Sequence, residues 1–282
     1  MSRILVVGSR GYLGPHVVKL LQEASHDVIE VDAGFWGQSI PAGVYKGHHV
    51  HPSWVREKQV DAIVYLGAIA HDPEGLVPEE AHYRHTRDEP IQLAWTLEEI
   101  PFVFASSLSV FDKGAAIYPH CKRCAEARLF QLPNTSILRF GTLYGPGVTP
   151  EYYRPHLLLN RMVYTALKSG KVEVFNPSAR RPVLSVIDAA WHIAAETCVM
   201  LGGGPGRKAS NHYMACATIL EYGQRVCAVT GAELVVSDKP SPDTRDYGWG
   251  TYDLDYLDLI PLLNWTREHL DEIDLTRKQV IS

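Results

Sequence analysis

Ile4-Leu5-Val6-Val7-Gly8-Ser9-Arg10-Gly11-Tyr12-Leu13-Gly14, followed by Val17, Val18, Leu20 and Leu21, is the stretch whose reading decides the fold. A short continuous apolar run reads as a strand buried on both faces of a parallel sheet, and the segment after the glycines has amphipathic helical spacing. A second apolar run, Val28-Ile29-Glu30-Val31, ends on Asp32, 18 residues beyond Gly14. Strand, glycine turn, helix, strand and acid in that order suit a dinucleotide. The glycines allow a tight turn, close approach of backbone to a pyrophosphate, and close helix–strand packing. The helix N-terminus offers unpaired N–H groups and a positive dipole end to the phosphates. Asp32 is placed to accept hydrogen bonds from an adenosine ribose and would repel a 2′-phosphate, which favours NAD over NADP. The expected cofactor residues here are Gly8, Arg10, Gly11, Tyr12, Leu13, Gly14 and Asp32. Arg10 stays open between a pyrophosphate contact and a solvated turn residue.

The whole chain is consistent with that opening. Its 282 residues carry 27 Lys+Arg against 32 Asp+Glu, a net charge of −5, with 46% hydrophobic and 21% charged residues. That is an ordinary globular composition, long enough for one large domain or two unequal ones. Without Lys/Arg clusters, a nucleic-acid partner is not expected. No apolar stretch approaches the ~20 residues of a membrane span, and the apolar run at the N-terminus is too short for a signal peptide; a cytoplasmic protein is expected. Five cysteines do not make a disulfide scaffold. Cys121 and Cys124 form a lone CxxC inside a helical stretch, which reads as inert thiols, and the His48, His49 and His51 cluster reads as solvated. No metal site is expected.

Two further segments carry chemistry. Asp61-Ala62-Ile63-Val64-Tyr65-Leu66-Gly67-Ala68 reads as another buried strand ending in small residues. Phe102-Val103-Phe104-Ala105-Ser106-Ser107-Leu108-Ser109-Val110-Phe111 is followed by Tyr118-Pro119-His120-Cys121-Lys122 and Ala125-Glu126. Positions i and i+4 share a helix face, so Tyr118 and Lys122 can address one substrate. A tyrosine with a pKa near ~10 is a poor base at neutral pH, and a neighbouring ammonium favours its phenolate. Ser107 can hydrogen-bond the substrate oxygen.

The GxxGxxG spacing, the SSxxV strand and YxxxK, in this order, resemble the short-chain dehydrogenase/reductase family. The extended branch matches best, in its NAD-dependent nucleotide-sugar epimerase/dehydratase group. The resemblance implies catalytic roles for Ser107, Tyr118 and Lys122, with Tyr118 and Lys122 also touching the cofactor. It implies that the nicotinamide side lies against Leu66, Gly67 and Ala68. Aligning Val110-Phe111 with the family's "VYG" assigns the functional hydroxyl to Ser107 and leaves Ser106 as a structural hydroxyl bonding backbone. Thr135–Phe140 leads into Gly141-Thr142-Leu143-Tyr144-Gly145-Pro146-Gly147, similar to the family's "R.xNvYGPg" with Thr142 for its Asn. The segment Arg180-Arg181-Pro182-Val183-Leu184-Ser185-Val186-Ile187-Asp188 resembles "RDfvhVdD". Asp243-Thr244-Arg245-Asp246 before Leu263-Asn264-Trp265 echoes the family's tail. On this basis Arg181 and Arg245 are expected to hold a substrate diphosphate, with Thr142 as a substrate contact.

The fold implied is an α/β, Rossmann-like doubly wound parallel sheet with a smaller C-terminal substrate domain. Residues 1–147, with a returning segment near 180–200, would form the NAD-binding domain, and 148–282 the partly interleaved substrate domain. Sugar dehydratases of the family carry an Asp-Glu pair after the catalytic hydroxyl, where Leu108-Ser109 stand here. That leaves an epimerase acting through a keto-sugar on a nucleotide-diphosphate sugar, or an NAD(P)-dependent sugar dehydrogenase or keto-reductase. A non-catalytic NAD-binding regulatory protein is the alternative from a different class. A homodimer is expected. Two departures from the family pattern stand out: the short Asp112–Ile117 connection ahead of Tyr118, and His85 in place of an Asn.

Overall fold

In this computed structural model the described residues are all but 35–39, 48, 71–76, 113, 115, 207, 239–245, 247–253, 255–256 and 275–282. The chain opens with β1 (Arg3–Val7), α1 (Gly14–Glu23), β2 (Asp27–Asp32), β3 (Tyr45–Lys46), α2 (Pro52–Glu57), β4 (Ala62–Tyr65) and α3 (Glu79–His82). A π-helical turn, Tyr83–Asp88, connects α3 to α4 (Glu89–Thr96), and then come β5 (Phe102–Ser107), α5 (Ile117–Leu129), β6 (Thr135–Phe140) and β7 (Thr142–Tyr144). The remainder is α6 (Leu158–Ser169), β8 (Lys171–Val174), β9 (Arg180–Ser185), α7 (Val186–Leu201), β10 (Lys208–His212), β11 (Ala215–Thr218), α8 (Ile219–Thr230), β12 (Glu233–Val236) and α9 (Ile260–Glu268).

The main sheet runs β10-β6-β5-β4-β1-β2-β3. The pairs β1–β2, β1–β4, β2–β3 and β4–β5 are parallel. The strand order reverses beside β1, where β2 lies on one side and β4 on the other; in open α/β sheets this is where ligands bind, beyond the carboxyl ends of the strands. Ile4, Leu5, Val6, Ala62, Ile63 and Val64 are fully buried, as strands covered on both faces require. Leu5, Ile63, Phe102, Phe104 and Ile137 meet Leu93, Leu97, Ala125 and Leu129 in one core. Burial of that area is what holds α4 and α5 to the sheet.

Met1–Arg139 and Ile187–Asn211 fall in one compact unit, and Phe140–Val186 with His212–Thr276 in a second. The division thus comes at Arg139, ahead of residue 147, and the returning segment is Ile187–Asn211. A polar connection holds α7 and β10 to β6. The Ser136 hydroxyl donates to Glu196 at 2.7 Å, and Lys208 Nζ lies 2.6 Å from the other oxygen of that carboxylate. The strand Lys208–His212 has no apolar signal in its sequence because it occupies the edge of the sheet. In the second unit β11-β9-β7 form one sheet and β12-β8 another. Thr218 and Glu221 close a reciprocal cap at the start of α8. Among the described residues no helix is long and apolar enough to cross a membrane.

Gly8 has φ +83°, and a Cβ there would sit 2.8 Å from the Gly67 nitrogen. A Cβ on Gly11 would meet only the Gly8 oxygen, at an ordinary 3.5 Å. Gly8→Ala is therefore expected to cost about 1–3 kcal/mol of unfolding free energy, whereas Gly11→Ala costs less than about 1 kcal/mol. Urea titration of the two variants checks the contrast, and equal losses would contradict it.

Candidate active site

The glycine turn is assembled from backbone. The Gly8 and Ser9 N–H groups both donate to Val31 O, at 2.8 and 3.2 Å, joining the end of β1 to β2. A side chain on Gly14 would overlap the carbonyls of Gly8 and Ser9, so α1 starts directly against the turn. Asp32 is buried; its Oδ2 accepts the Arg10 N–H at 2.8 Å and its Oδ1 the Gly34 N–H at 2.7 Å. A carboxylate oxygen can accept from more than one donor, which suits a ribose diol. With α1's first turn facing a cradle that side chains cannot fill, these residues fit a dinucleotide. The Arg10 guanidinium is largely shielded from water, and its Nη2 lies 2.8 Å from Glu30. Burial pushes the Glu30 carboxyl up, and Arg10 and Ser9 partly offset this.

At the end of β4, the Leu66 N–H donates to Val7 O at 2.9 Å, and Leu66, Gly67 and Ala68 are half-buried. Gly67 is confined from behind, because a Cβ there would lie 3.2 Å from the Tyr65 ring. The buried Tyr65 hydroxyl shares its one proton between His85 O at 2.9 Å and Glu89 Oε2 at 3.0 Å. Glu89 also accepts the Val50 N–H at 2.7 Å, and His85 Nδ1 lies 3.4 Å from its carboxylate. His85 thus sits in a buried polar network under β4, inside the π-helical turn. Burial, reinforced by the Glu89 charge, holds the Tyr65 phenol well above its usual range, so it acts as a fixed donor.

Ser107 ends β5, half-buried, and its Oγ accepts the Ser109 N–H at 3.1 Å, leaving its own proton to donate elsewhere. Tyr118 and Lys122 are one turn apart on α5, with Lys122 Nζ 5.9 Å from the Tyr118 ring centre. Pro119 is accommodated in the first turn, where no intrahelical N–H bond is lost. Lys122 is 1% exposed. Its Nζ donates to Ala105 O at 2.7 Å and lies 4.2 Å from the Phe104 ring centre. Burial lowers its pKa to about 7, against a smaller upward pull from Glu126.

Ser106 does not bond backbone. Its hydroxyl donates to Glu126 Oε1 at 2.5 Å, and the Arg139 Nε and Nη2 grip the same carboxylate at 2.6–3.0 Å. A buried serine beside a buried acid donates to the carboxylate and helps satisfy it. Glu126, Arg139, Glu30 and Glu89 also build the site. The available signal was spacing: Glu126 lies one turn beyond Lys122 on the same face, and Glu30 two residues before Asp32 on the same side of β2. The CxxC pair is reduced; burial raises the Cys121 thiol to about 11, and Cys124 Sγ lies 3.6 Å from His120 Nε2. Among the described residues no His, Cys, Asp and Glu side chains group as a metal site.

In the second unit, β7 and β9 run parallel with Thr142 opposite Val183. Arg181 stands two residues before Val183, so Thr142 and Arg181 share one face of that sheet. Arg181 is buried; its Nη1 donates to Arg180 O at 3.0 Å, and the Tyr222 hydroxyl donates to Arg181 O at 2.7 Å. Arg245 lies outside the described residues; its neighbour Asp246 accepts the Arg180 N–H at 3.1 Å.

The depressed Lys122 pKa has a consequence for stability. In the unfolded chain the lysine keeps its proton up to about 10.5, while in the folded chain it loses it near 7. The unfolded state binds more protons between these values, so stability rises with pH there. Relative to Lys122→Met, the protein is expected to gain roughly 1 kcal/mol per pH unit between pH 7.5 and 8.5. Urea titrations of both proteins across that window measure it; a pH-independent difference would contradict the assignment.

Comparison with known proteins places this geometry. The chain superimposes on the UDP-glucose 4-epimerase of Thermotoga maritima with a TM-score of 0.73 at 18% identity, covering 96% of this chain and 99% of that one. MoeE5 in complex with UDP-glucose and NAD gives 0.73 at 19% identity, over 95% and 99% of the two chains. The NAD-dependent NDP-hexosamine 5,6-dehydratase TunA, of tunicamycin biosynthesis, gives 0.73 at 18%, over 98% and 99%. At these identities the superpositions establish a shared fold. The model of the NAD dependent epimerase/dehydratase family matches residues 4–197, from β1 through Ser107, Tyr118 and Lys122 into α7. The chain belongs to the NAD dependent epimerase/dehydratase family.

Proposed function

We propose that the protein is a nucleotide-sugar epimerase that inverts a sugar carbon through a transient keto-sugar. Bound NAD⁺ supplies the hydride acceptor and, in the second half of the reaction, the hydride donor. Tyr118 takes the proton from the substrate hydroxyl as that carbon is oxidised and returns it after the sugar has turned. Lys122, when protonated, favours the Tyr118 phenolate, and its pKa of about 7 puts this assistance within the neutral range. Ser107 donates to the reacting oxygen. Glu126, gripped by Ser106 and Arg139, keeps α5 in register with the end of β5, so Ser107 and Tyr118 keep a fixed relation. Asp32 holds the adenosine ribose. Arg181 is the candidate ligand for the substrate diphosphate, together with Arg245, and Thr142 touches the sugar. A homodimer is part of the same reading.

The observation that carries an epimerase rather than a dehydratase is the pair of residues after Ser107. Leu108 and Ser109 are 1% and 2% exposed, and neither is a carboxylate. Elimination of water needs an acid and a base at the sugar, and these two positions supply neither.

The test is product analysis. Incubation with UDP-hexoses, followed by chromatography and mass spectrometry, is expected to yield an isomer of unchanged mass with no net absorbance change at the NADH band. Loss of a water mass would assign a dehydratase, and stoichiometric NADH formation a dehydrogenase; either outcome overturns the epimerase reading. Tyr118→Phe is expected to lower kcat by about 10²–10⁴-fold, while heat-released NAD shows that the variant still carries the cofactor.

A further inference from the structure

Glu30 and Asp32 are two residues apart on β2 and face the same side. Arg10 is anchored beside them by its backbone, whose N–H donates to Asp32 at 2.8 Å. Its guanidinium reaches back along the strand, with Nη2 2.8 Å from both oxygens of Glu30. The pair is largely shielded from water, at 19% and 13% side-chain exposure. An arginine at the ribose end of a dinucleotide site is otherwise well suited to a 2′-phosphate, which its fork of donors matches.

We propose that Glu30 is a specificity-determining residue: by holding the Arg10 guanidinium it withholds that cation from a 2′-phosphate and so reinforces Asp32 in selecting NAD over NADP. Asp32 acts by repulsion, and Glu30 acts by engaging a cation beside it that would offset that repulsion. The proposal rests on the dinucleotide reading of this site and is independent of which sugar is turned over.

Calorimetric titration of cofactor-stripped protein with NAD⁺ and NADP⁺ tests it without any turnover. On an Asp32→Ser background, adding Glu30→Gln is expected to raise NADP⁺ affinity about tenfold further, with NAD⁺ affinity changing less than about threefold. Adding Arg10→Ala to that double variant is expected to abolish the gain. Glu30→Thr, a residue suited to strands, replaces Gln if that variant does not fold. No NADP⁺ gain from Glu30→Gln, or a gain that survives Arg10→Ala, overturns the proposal. A protein that binds neither dinucleotide would instead refute the site reading on which it rests.

Discussion

Where β1 ends, three backbone segments meet with no room for a side chain. The Gly8 turn lies against the Gly67 amide from β4, and Gly14 starts α1 against the carbonyls of Gly8 and Ser9. Everything that recognises a dinucleotide here depends on that approach. The N–H groups at the start of α1 would approach a pyrophosphate only across a turn this tight, and Asp32 would reach a ribose because Val31 O holds the turn to β2. The constraint is relayed away from the ligand. Gly67 is wedged against the Tyr65 ring, and Tyr65 is fixed by His85 and Glu89 under the sheet. A polar network at that depth is stable only when every member is satisfied, and Glu89 is: it accepts from Tyr65 and from the Val50 amide.

The helix that carries Tyr118 and Lys122 is held by a second buried network of different construction. Lys122 is packed against Phe104 and donates to Ala105 O, an environment that disfavours its charge. One turn further on, Glu126 draws a serine from β5 and an arginine from β6 onto a single carboxylate. Burial lowers the lysine's proton affinity and the nearby acid raises it, so the lysine's proton comes and goes around neutral pH. Removing Ser106 or Arg139 would leave Glu126 buried with fewer donors, so Ser106 is not interchangeable with alanine.

Much of this was readable from short segments. The order of strand, glycine turn, helix and acid, the i,i+4 spacing of Tyr118 and Lys122, and the placement of Ser107 at a strand end all involve neighbours within a turn or a strand. The edge strand Lys208–His212 was not legible, because it is polar and joins the sheet by backbone pairing with β6, which leaves no apolar periodicity in its sequence. Arg10 could not be assigned either, since loop position alone does not say which of several acids its side chain will reach. The division between the units also came earlier than expected, because Thr142–Tyr144 pair with Arg180–Ser185 instead of extending the main sheet.

The sequence by itself determined the fold class, the glycine turn and the residues that can donate, accept or carry a proton, because these follow from local sterics and periodicity. Only the tertiary structure decided the partners: Glu30 for Arg10, Glu126 for Ser106, Glu89 for Tyr65. The reason is physical. An ion pair or buried hydrogen bond is selected by desolvation, and desolvation exists only once strands and helices distant in sequence have closed over the same carboxylate.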